Sequence, residues 1–382
     1  MGSAVSIASW AYGVDGFVRL CSNLAYLISL PGWVPLYGLG LRGARDHPIG
    51  IVVANAFAWG CWCLFIAAAL RIRRRLISKQ TKTPEEPVDP SRRAFMAHGM
   101  LGVGAVGAVA SPTYATLVEP WSIKVRRYSV PIKDLPVAFE GLRLVQFSDS
   151  HLGPRIPASF VEHAVQRAAE LKPDVLLLTG DYVQDGTGEN ELAARLCKPM
   201  IEAAKYGAIG VLGNHDWWGD AKLMSDSLRD VGVHMIDNDR VWLDPTTRSI
   251  SEKPSSGSLA FVGLGDLWED VVDPARAFAG VEADIPRVVL AHHPDTAEIP
   301  GLTRGGSPRV DVMFSGHTHG GQVRIPFIGT PIVPSRYGSK YAGGLVAGPA
   351  FPVVVSRGIG MSLLPVRFGV PPEIVEVTLT RA

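Results

Sequence analysis

The sequence predicts an α/β domain of about 260 residues behind an apolar N-terminal region. Hydrophobic residues make up 47% of the 382-residue chain and charged residues only 19%, which leaves room for a lipid-facing segment beside an ordinary core. From about Ser122 onward, short β-rich runs alternate with amphipathic stretches, as expected of an α/β domain. Polar residues that can bind metals recur where several of these β-rich runs end.

Two uncharged runs dominate the N-terminal region, at residues 20–41 and 48–70. Each is about 22 residues long, enough to cross a hydrocarbon core of about 30 Å as a helix. Pro31 and Pro35 would kink a helix in the first run, so a re-entrant or interfacial hairpin stays open there. Residues 1–82 are therefore predicted to be a membrane anchor with two transmembrane helices.

A basic cluster follows the second run. It consists of Arg71, Arg73, Arg74, Arg75, Lys79 and Lys82. The positive-inside rule assigns such a cluster to the cytoplasm, so the second helix should run from the outside to the inside. Residues 83–90 are rich in proline and acidic residues and are typical of a short linker.

The rest of the segment 83–121 resembles a twin-arginine export signal placed internally. Residues 91–96 read Ser-Arg-Arg-Ala-Phe-Met and precede a run rich in glycine and alanine that ends at Ala115. The small residues at 108–110 leave cleavage open. The alternative is a third transmembrane helix with its basic end in the cytoplasm.

Both alternatives place everything after Thr116 on the outer face of the membrane. We therefore expect a multi-pass protein of the inner (plasma) membrane, with its larger domain on the outer, periplasmic face and the lipid bilayer as a partner. If the glycine-rich run never crosses, that domain stays in the cytoplasm instead.

Charge and cysteine content exclude several other classes. The formal net charge is +1, so no global basic field would attract nucleic acid, and no nucleic-acid partner is expected. Three of the four cysteines, Cys21, Cys61 and Cys63, lie in apolar stretches, and the fourth is Cys197. This distribution supports neither a disulfide framework nor a thiolate zinc site.

The pattern after Ser122 predicts six buried strands and three intervening helices. The strands are expected at 142–147, 175–179, 209–212, 259–262, 288–291 and 310–314, and the helices at 160–171, 191–205 and 221–231. In an open α/β sheet, ligands bind at the carboxyl ends of the strands. Polar residues that follow different strands can therefore converge on one site.

Five short motifs lie at these strand ends. They are Asp149-Ser150-His151, Gly180-Asp181, Gly213-Asn214-His215-Asp216, Ala291-His292-His293, and the glycine-flanked His317-Thr318-His319. The first three could each be ordinary turn chemistry when taken alone. The last is more specific, because glycine lets the backbone approach a ligand closely and alternate residues of an extended segment share a face.

The order and spacing of the motifs resemble those of the calcineurin-like metallophosphoesterase superfamily, over about residues 142–379. The ending, from the Ser-Arg-Gly-Ile-Gly of 356–360 to the Pro-Pro-Glu-Ile of 371–374, is similar to the branch that contains bacterial membrane-associated enzymes. The resemblance implies a four-layer sandwich of two mixed β-sheets flanked by helices. It also implies that residues 122–382 are a catalytic domain.

The resemblance further implies two divalent metal ions. One would be held by Asp149, His151, Asp181 and His319, and the other by Asp181, Asn214, His292 and His317. His215 matches the superfamily's catalytic histidine that is not a ligand, and Asp216 is expected to orient it. His293 has no matching role, and its neighbouring position suggests that it points away from His292.

The residue types agree with this chemistry. Two cations about 4 Å apart lower the pKa of a bridging water and neutralise phosphoryl oxygens, and a carboxylate such as Asp181 is a natural bridge. Imidazole, carboxylate and amide ligands without thiolate favour Mn²⁺, Fe or Zn²⁺. The expected function is hydrolysis of a phosphomonoester, phosphodiester or pyrophosphate bond by metal-activated hydroxide. The membrane anchor favours an envelope or lipid-linked substrate.

Substrate contacts and the rival function depend on fewer residues. Arg155, Arg324, Arg336 and Arg357 could clamp a phosphate, and Arg324 and Arg336 are the predicted substrate-binding pair. The alternative function is a non-catalytic metal-binding scaffold on the same fold. An intact His215 argues against a scaffold, which has no use for a histidine beside the metals that does not bind them.

Overall fold

A computed structural model describes residues 110–184, 188–362 and 364–382. The two predicted spans, the basic cluster and the twin-arginine-like motif lie outside the described residues. Within the described part of the chain, no helix has the length and apolar character needed to cross a membrane. Residues 110–117 are helical, and Val118–Ala382 form one compact unit.

Thirteen strands are described, and they form two sheets. In chain order they are β1 (Lys124–Ile132), β2 (Arg143–Phe147), β3 (Val175–Thr179), β4 (Ala208–Val211), β5 (Val233–Met235), β6 (Arg240–Leu243), β7 (Ile250–Ser251), β8 (Leu259–Gly263), β9 (Arg287–Leu290), β10 (Val312–Ser315), β11 (Gly344–Ala347), β12 (Pro352–Val355) and β13 (Glu373–Arg381). The first sheet has the order β1-β13-β2-β3-β4-β5, and the second has the order β11-β12-β10-β9-β8-β6-β7.

Both sheets are mixed, but each has a parallel centre. In the first sheet β2, β3, β4 and β5 are parallel, while β13 runs antiparallel to β2. In the second sheet β8, β9, β10 and β12 are parallel. Central strands such as β3, whose five residues are all buried, have the continuous apolar sequence of a strand covered on both faces.

Within the described residues, six α-helices connect or flank the strands. They are α1 (Ala158–Ala169), α2 (Asn190–Ala203), α3 (Asn214–Trp218), α4 (Ala221–Asp230), α5 (Pro274–Ala277) and α6 (Pro300–Thr303). Helix α1 buries Phe160, Val161 and Ala164 together with two further apolar residues of the same stripe, as an amphipathic helix over a sheet does. It carries the chain from β2 to the parallel β3, and α2 does the same from β3 to β4.

Three apolar cores separate four layers of secondary structure. One core lies between α1, α2, α4 and the first sheet, and the second lies between the two sheets. The third joins the outer face of the second sheet to α5, α6 and neighbouring turns. This arrangement confirms the predicted pair of mixed sheets flanked by helices.

Candidate metal centre

The seven predicted ligands lie at the carboxyl ends of parallel strands from both sheets. Asp149 and His151 follow β2, Asp181 follows β3, and Asn214 begins α3 after β4. The other three follow the second sheet: His292 comes after β9, and His317 and His319 come after β10. All seven are buried, with at most 6% of any of them exposed. The structure therefore brings together every residue of the predicted ligand set.

The backbone at these ligands is strained. Five of them have positive φ angles without being glycine: Asp149 (54°), His151 (47°), Asp181 (57°), His317 (67°) and His319 (49°). A non-glycine residue held in this left-handed region costs on the order of 1–3 kcal/mol, and such residues concentrate at ligand-binding sites. The strain turns each side chain back toward the point where the strands end.

Two glycines make room for the carboxylates. A Cβ on Gly213 would collide with the Oδ1 atom of Asp181, and a Cβ on Gly316 would collide with the Oδ2 atom of Asp149. Any side chain at either position would displace a carboxylate, so the close backbone approach requires glycine.

We name the ligands predicted for one ion the first half-site and those predicted for the other ion the second. The first comprises Asp149, His151, Asp181 and His319. The Nε2 atoms of His151 and His319 lie 2.9 Å apart, and each lies 3.5 Å from a carboxylate oxygen, of Asp181 and Asp149 respectively. Burial lowers the pKa of His151 to about 3 and that of His319 well below its usual value, with neighbouring histidines adding to both shifts. Neutral imidazoles keep the lone pairs that coordinate a metal.

The second half-site consists of Asp181, Asn214, His292 and His317. Nδ1 of His292 lies 2.7 Å from the Thr179 carbonyl, to which it donates, and Nε2 faces Asp181 Oδ2 at 3.2 Å. Nδ1 of His317 lies 3.0 Å from Oδ1 of Asn214. The ligand atoms therefore point toward one another, as donors around a cation do.

Asp181 belongs to both half-sites. Its Oδ2 atom faces His151 and His292, and its Oδ1 atom accepts a hydrogen bond of 2.9 Å from the backbone N–H of His215. Burial raises the pKa of Asp181, but the nearby histidines, first of all His292, lower it by more, to well below its usual value. An ionised carboxylate at this position is suited to bridge two cations.

The residues present fit a metal centre. Buried polar atoms that could ligate a metal and have no hydrogen-bond partner in the described structure include Asp149 Oδ2, His292 Nε2 and His317 Nε2. Ionised Asp181 raises the pKa of His292 to about 10 against the lowering effect of burial, so this point favours positive charge. The donor atoms of Asp149, His151 and His319 lie within 4.8 Å of one another, and so do those of Asp149, Asp181 and His292, and those of His292, His293 and His317. Divalent cations suit this donor set, which contains no thiolate.

His215 lies beside the first half-site and reaches the surface, with 8% of the residue exposed. Its ring centroid is 4.6 Å from that of His151 and 4.4 Å from that of Trp218. Nδ1 lies 3.3 Å from Gln184 Nε2, and Nε2 lies 3.3 Å from Ser362 Oγ. This position suits a group that meets the substrate. Its neighbours Gln184, Trp218 and Ser362 were not predicted from the sequence, although Trp218 stands only three residues after His215.

The expected role of Asp216 is wrong. Its Oδ2 atom accepts hydrogen bonds from the backbone N–H groups of Asp181 at 2.8 Å and Gly213 at 2.9 Å, and Oδ1 accepts from Tyr182 at 2.9 Å. The first turn of α3 directs the carboxylate back toward the ends of β3 and β4, away from the His215 ring nitrogens. Asp216 therefore fixes the turns that carry Asp181 and Asn214.

The structure also corrects the expectation for His293. Its ring stays at the site, with its centroid 3.8 Å from that of His317 and 5.1 Å from that of His292. Nδ1 lies 3.0 Å from Oδ2 of the buried Asp266, and Trp268 packs against both His293 and His317. His293 thus lies at the second half-site, with a ring nitrogen within 4.8 Å of ring nitrogens of His292 and His317.

The predicted arginines occupy varied positions. Arg324 and Arg336 are exposed on the segment that leaves the His319 turn, and their backbone N–H groups donate to Phe368 O and Asp295 Oδ2. Arg357 pairs with Glu373 at 2.9 Å. Arg155 donates to the Ser362 carbonyl at 2.8 Å.

Arg367 was missed by the sequence analysis. It is fully buried, and its guanidinium donates to the carbonyls of Arg357, Gly358, Gly360 and Val370. Its Nη2 atom lies 3.3 Å from Nδ1 of His319. No sequence motif marks such a residue.

The fold and the site together define a metal-dependent phosphoesterase architecture, and comparison with known proteins agrees. The family model for calcineurin-like phosphoesterases matches residues 142–321. An uncharacterized metallophosphoesterase of Bacillus subtilis, YkuE, is 30% identical over 293 residues, which cover 76% of this chain and 97% of that protein. The chain belongs to the calcineurin-like metallophosphoesterase family.

Two further relatives carry functional names. The phosphodiesterase YaeI of Escherichia coli is 32% identical over 294 residues, which cover 76% of this chain and 99% of that protein. The UDP-2,3-diacylglucosamine pyrophosphatase LpxG of Chlamydia muridarum is 27% identical over 328 residues, which cover 71% of this chain and 95% of that protein. These relatives support a hydrolase of phosphoric esters.

Proposed function

We propose that the chain is a dinuclear metallophosphoesterase that hydrolyses a phosphodiester or pyrophosphate bond of an envelope or lipid-linked substrate. The observation that carries the proposal is the convergence of seven buried ligands on two half-sites that share the ionised Asp181. Mn²⁺, Fe or Zn²⁺ would suit these ligands.

Two bound cations would supply a nucleophile at neutral pH and neutralise the phosphoryl oxygens. The chain's own residues provide the rest. His215, beside the first half-site, can donate a proton to the leaving oxygen or stabilise charge on the phosphoryl group. Asp216 and the strained turns hold the ligands in place before substrate arrives.

The substrate class rests on two supports. One relative bears a phosphodiesterase name and another the name of a pyrophosphatase of a diacylated nucleotide sugar. The uncharged runs at 20–41 and 48–70 would keep the catalytic unit near a membrane, where such lipids reside. Arg324 and Arg336 stay the proposed phosphate-binding pair.

A substrate panel tests this function. Purified full-length protein loaded with Mn²⁺ should hydrolyse a bis-aryl phosphate or a nucleotide-sugar lipid faster than an aryl monophosphate, and a chelator should abolish the activity. Asp181→Asn should lose it, whereas Asp220→Asn should keep it, because Asn can still cap α4. Metal-loaded protein that cleaves none of these compounds would favour the scaffold alternative.

We also propose that the residues before 122 anchor the chain in the inner membrane with the catalytic unit on the outer face. The basic cluster from Arg71 to Lys82, together with Arg92 and Arg93, supports this orientation. A reporter that works only outside the cytoplasm should be active when fused after Ala382. Activity of a strictly cytoplasmic reporter at the same position would contradict the orientation.

A further inference from the structure

Residues 325–332, here named the apolar loop, expose four large apolar side chains close to the metal centre. Phe327 is fully exposed, Ile328 is 73% exposed, and Ile325 and Ile332 are 37% and 42% exposed. Single exposed apolar residues are common on protein surfaces, but a group of four within eight residues of chain is not.

The tip of the loop is held in a fixed shape. Ile325 and Gly329 exchange two backbone hydrogen bonds of 2.8 and 2.9 Å, which close the turn between them. Phe327 sits at this tip with a φ of 66°, a strained conformation for a bulky residue. A strained, fully exposed phenylalanine gains nothing from packing in this chain, so its position requires another explanation.

The base of the loop is joined to the ligand turn. A Cβ on Gly321 would collide with the Ile332 carbonyl, so the loop returns directly onto the turn that carries His319. The side-chain amide of Gln322 donates a hydrogen bond of 2.7 Å to the Leu364 carbonyl. Leu364 is itself an apolar residue that is 46% exposed. The base of the apolar loop therefore lies beside the turn that carries His319.

The same base lies where the chain enters the compact unit. Glu119, next to the first residue of the unit, accepts a hydrogen bond of 2.9 Å from the backbone N–H of Gly369. Gly369 packs against the Arg324 carbonyl, where even a Cβ would come within 2.9 Å. Glu119, at the start of the compact unit, thus lies beside the base of the loop.

We propose that the apolar loop docks onto the surface of a lipid bilayer, with Phe327 and Ile328 entering the interface. Exposed Arg324 and Arg336 flank the loop and complement anionic head groups. Aromatic and aliphatic side chains beside basic residues are the usual composition of an interfacial contact. Docking in this orientation brings the metal centre to the phosphates at the membrane surface.

Spin labelling of the full-length chain tests the docking without requiring any enzymatic activity. Phe327 is replaced by p-acetyl-phenylalanine, and a nitroxide is attached to it. The matched control places the same label at Val137, which is 72% exposed and precedes the amino end of β2. Both proteins are reconstituted in vesicles of phosphatidylethanolamine and phosphatidylglycerol.

Power saturation with oxygen and with a water-soluble nickel chelate gives the result. We expect the label at 327 to be reached by oxygen and shielded from the chelate, and the label at 137 to be reached by the chelate. Access of the chelate to both labels would overturn the proposal. Shielding of the label at 327 from both reagents would indicate contact with a second copy of the chain and would also overturn it.

A kinetic measurement complements the labels and rests on the proposed function. Replacing both Phe327→Ser and Ile328→Ser should slow hydrolysis of an aryl phosphodiester of diacylglycerol in the vesicles about tenfold or more. Hydrolysis of a soluble bis-aryl phosphate should be unchanged, and Val137→Ser should affect neither rate. An equal loss on both substrates would contradict docking, whereas wild-type protein inactive on both would contradict only the proposed function.

Discussion

The two half-sites contain similar ligands, but different kinds of group lie against them. Behind His319 of the first half-site lies the buried guanidinium of Arg367, 3.3 Å from Nδ1. Behind the second half-site lie the Thr179 carbonyl, 2.7 Å from His292, and the ring of His293, which is paired with Asp266. Carbonyl and carboxylate partners raise the basicity of a ligating histidine, and a cation lowers it.

This difference indicates a division of roles. We expect the second half-site to bind its cation more tightly, and the first to bind a more exchangeable and more electrophilic one. His215 stands beside the first half-site, 4.6 Å from the ring of His151. The half-site that we expect to bind its cation more weakly is therefore the one nearest to His215, the residue that we assign to catalysis.

The largest effect on metal content and activity is expected for substitution of Asp181, the residue that both half-sites share. Asp181→Asn removes the negative charge that both half-sites share, so bound metal should fall from two ions per chain to below one and activity should become undetectable. Elemental analysis and turnover measure both quantities, with Asp220→Asn as the control. Near-full metal content in Asp181→Asn would refute the bridging assignment.

His215→Ala should leave both ions in place and lower turnover by about 10²- to 10⁴-fold, the usual effect of losing a general acid or base. The loss should be smaller for an aryl ester, whose leaving group needs little protonation, than for an alkyl ester. An equal loss on both esters would instead assign His215 to charge stabilisation. Unchanged turnover would remove its catalytic role.

Arg367→Lys tests the support of the first half-site. An ammonium group cannot reproduce the planar donors that now satisfy four carbonyls, so the free energy of unfolding should fall by roughly 3 kcal/mol. Denaturation of the detergent-solubilised protein measures this loss, with the exposed Arg336→Lys as the control. A change as small as that of the control would show that Arg367 is not a structural support.

The smallest effect is expected for His293→Asn, which should weaken metal binding at the second half-site more than at the first. His293→Asn removes the ring that packs on His317 and the partner of Asp266, so the affinity of the second half-site should fall by about 10- to 100-fold. A metal titration resolves the two sites. Equal weakening of both would show that the half-sites are not supported separately.

The central strands and the candidate ligands could be predicted from the sequence, because these strands are apolar runs and the motifs follow directly after them. The expected helix at 221–231 is α4 (Ala221–Asp230), and the resemblance to the metallophosphoesterase family is confirmed. The edge of the first sheet was not predicted. Strand β1 is half exposed, and its partner β13 comes from the far end of the chain.

The errors in the site have a common cause, which is inference from adjacency in the sequence. Asp216 follows His215 directly, but the first turn of α3 separates the directions of the two side chains. His293 was expected to alternate with His292, yet β9 ends at Leu290, and the alternation rule holds only within a strand. Arg367 could not be found because its partners are backbone carbonyls, which no residue pattern reveals.

Anomalous diffraction from crystals of the Mn²⁺-loaded protein tests the central claim most directly. We predict two manganese peaks on either side of the Asp181 carboxylate. One should contact Asp149, His151 and His319, and the other Asn214, His292 and His317. A single peak, or a pair of peaks that does not share Asp181, would contradict the account.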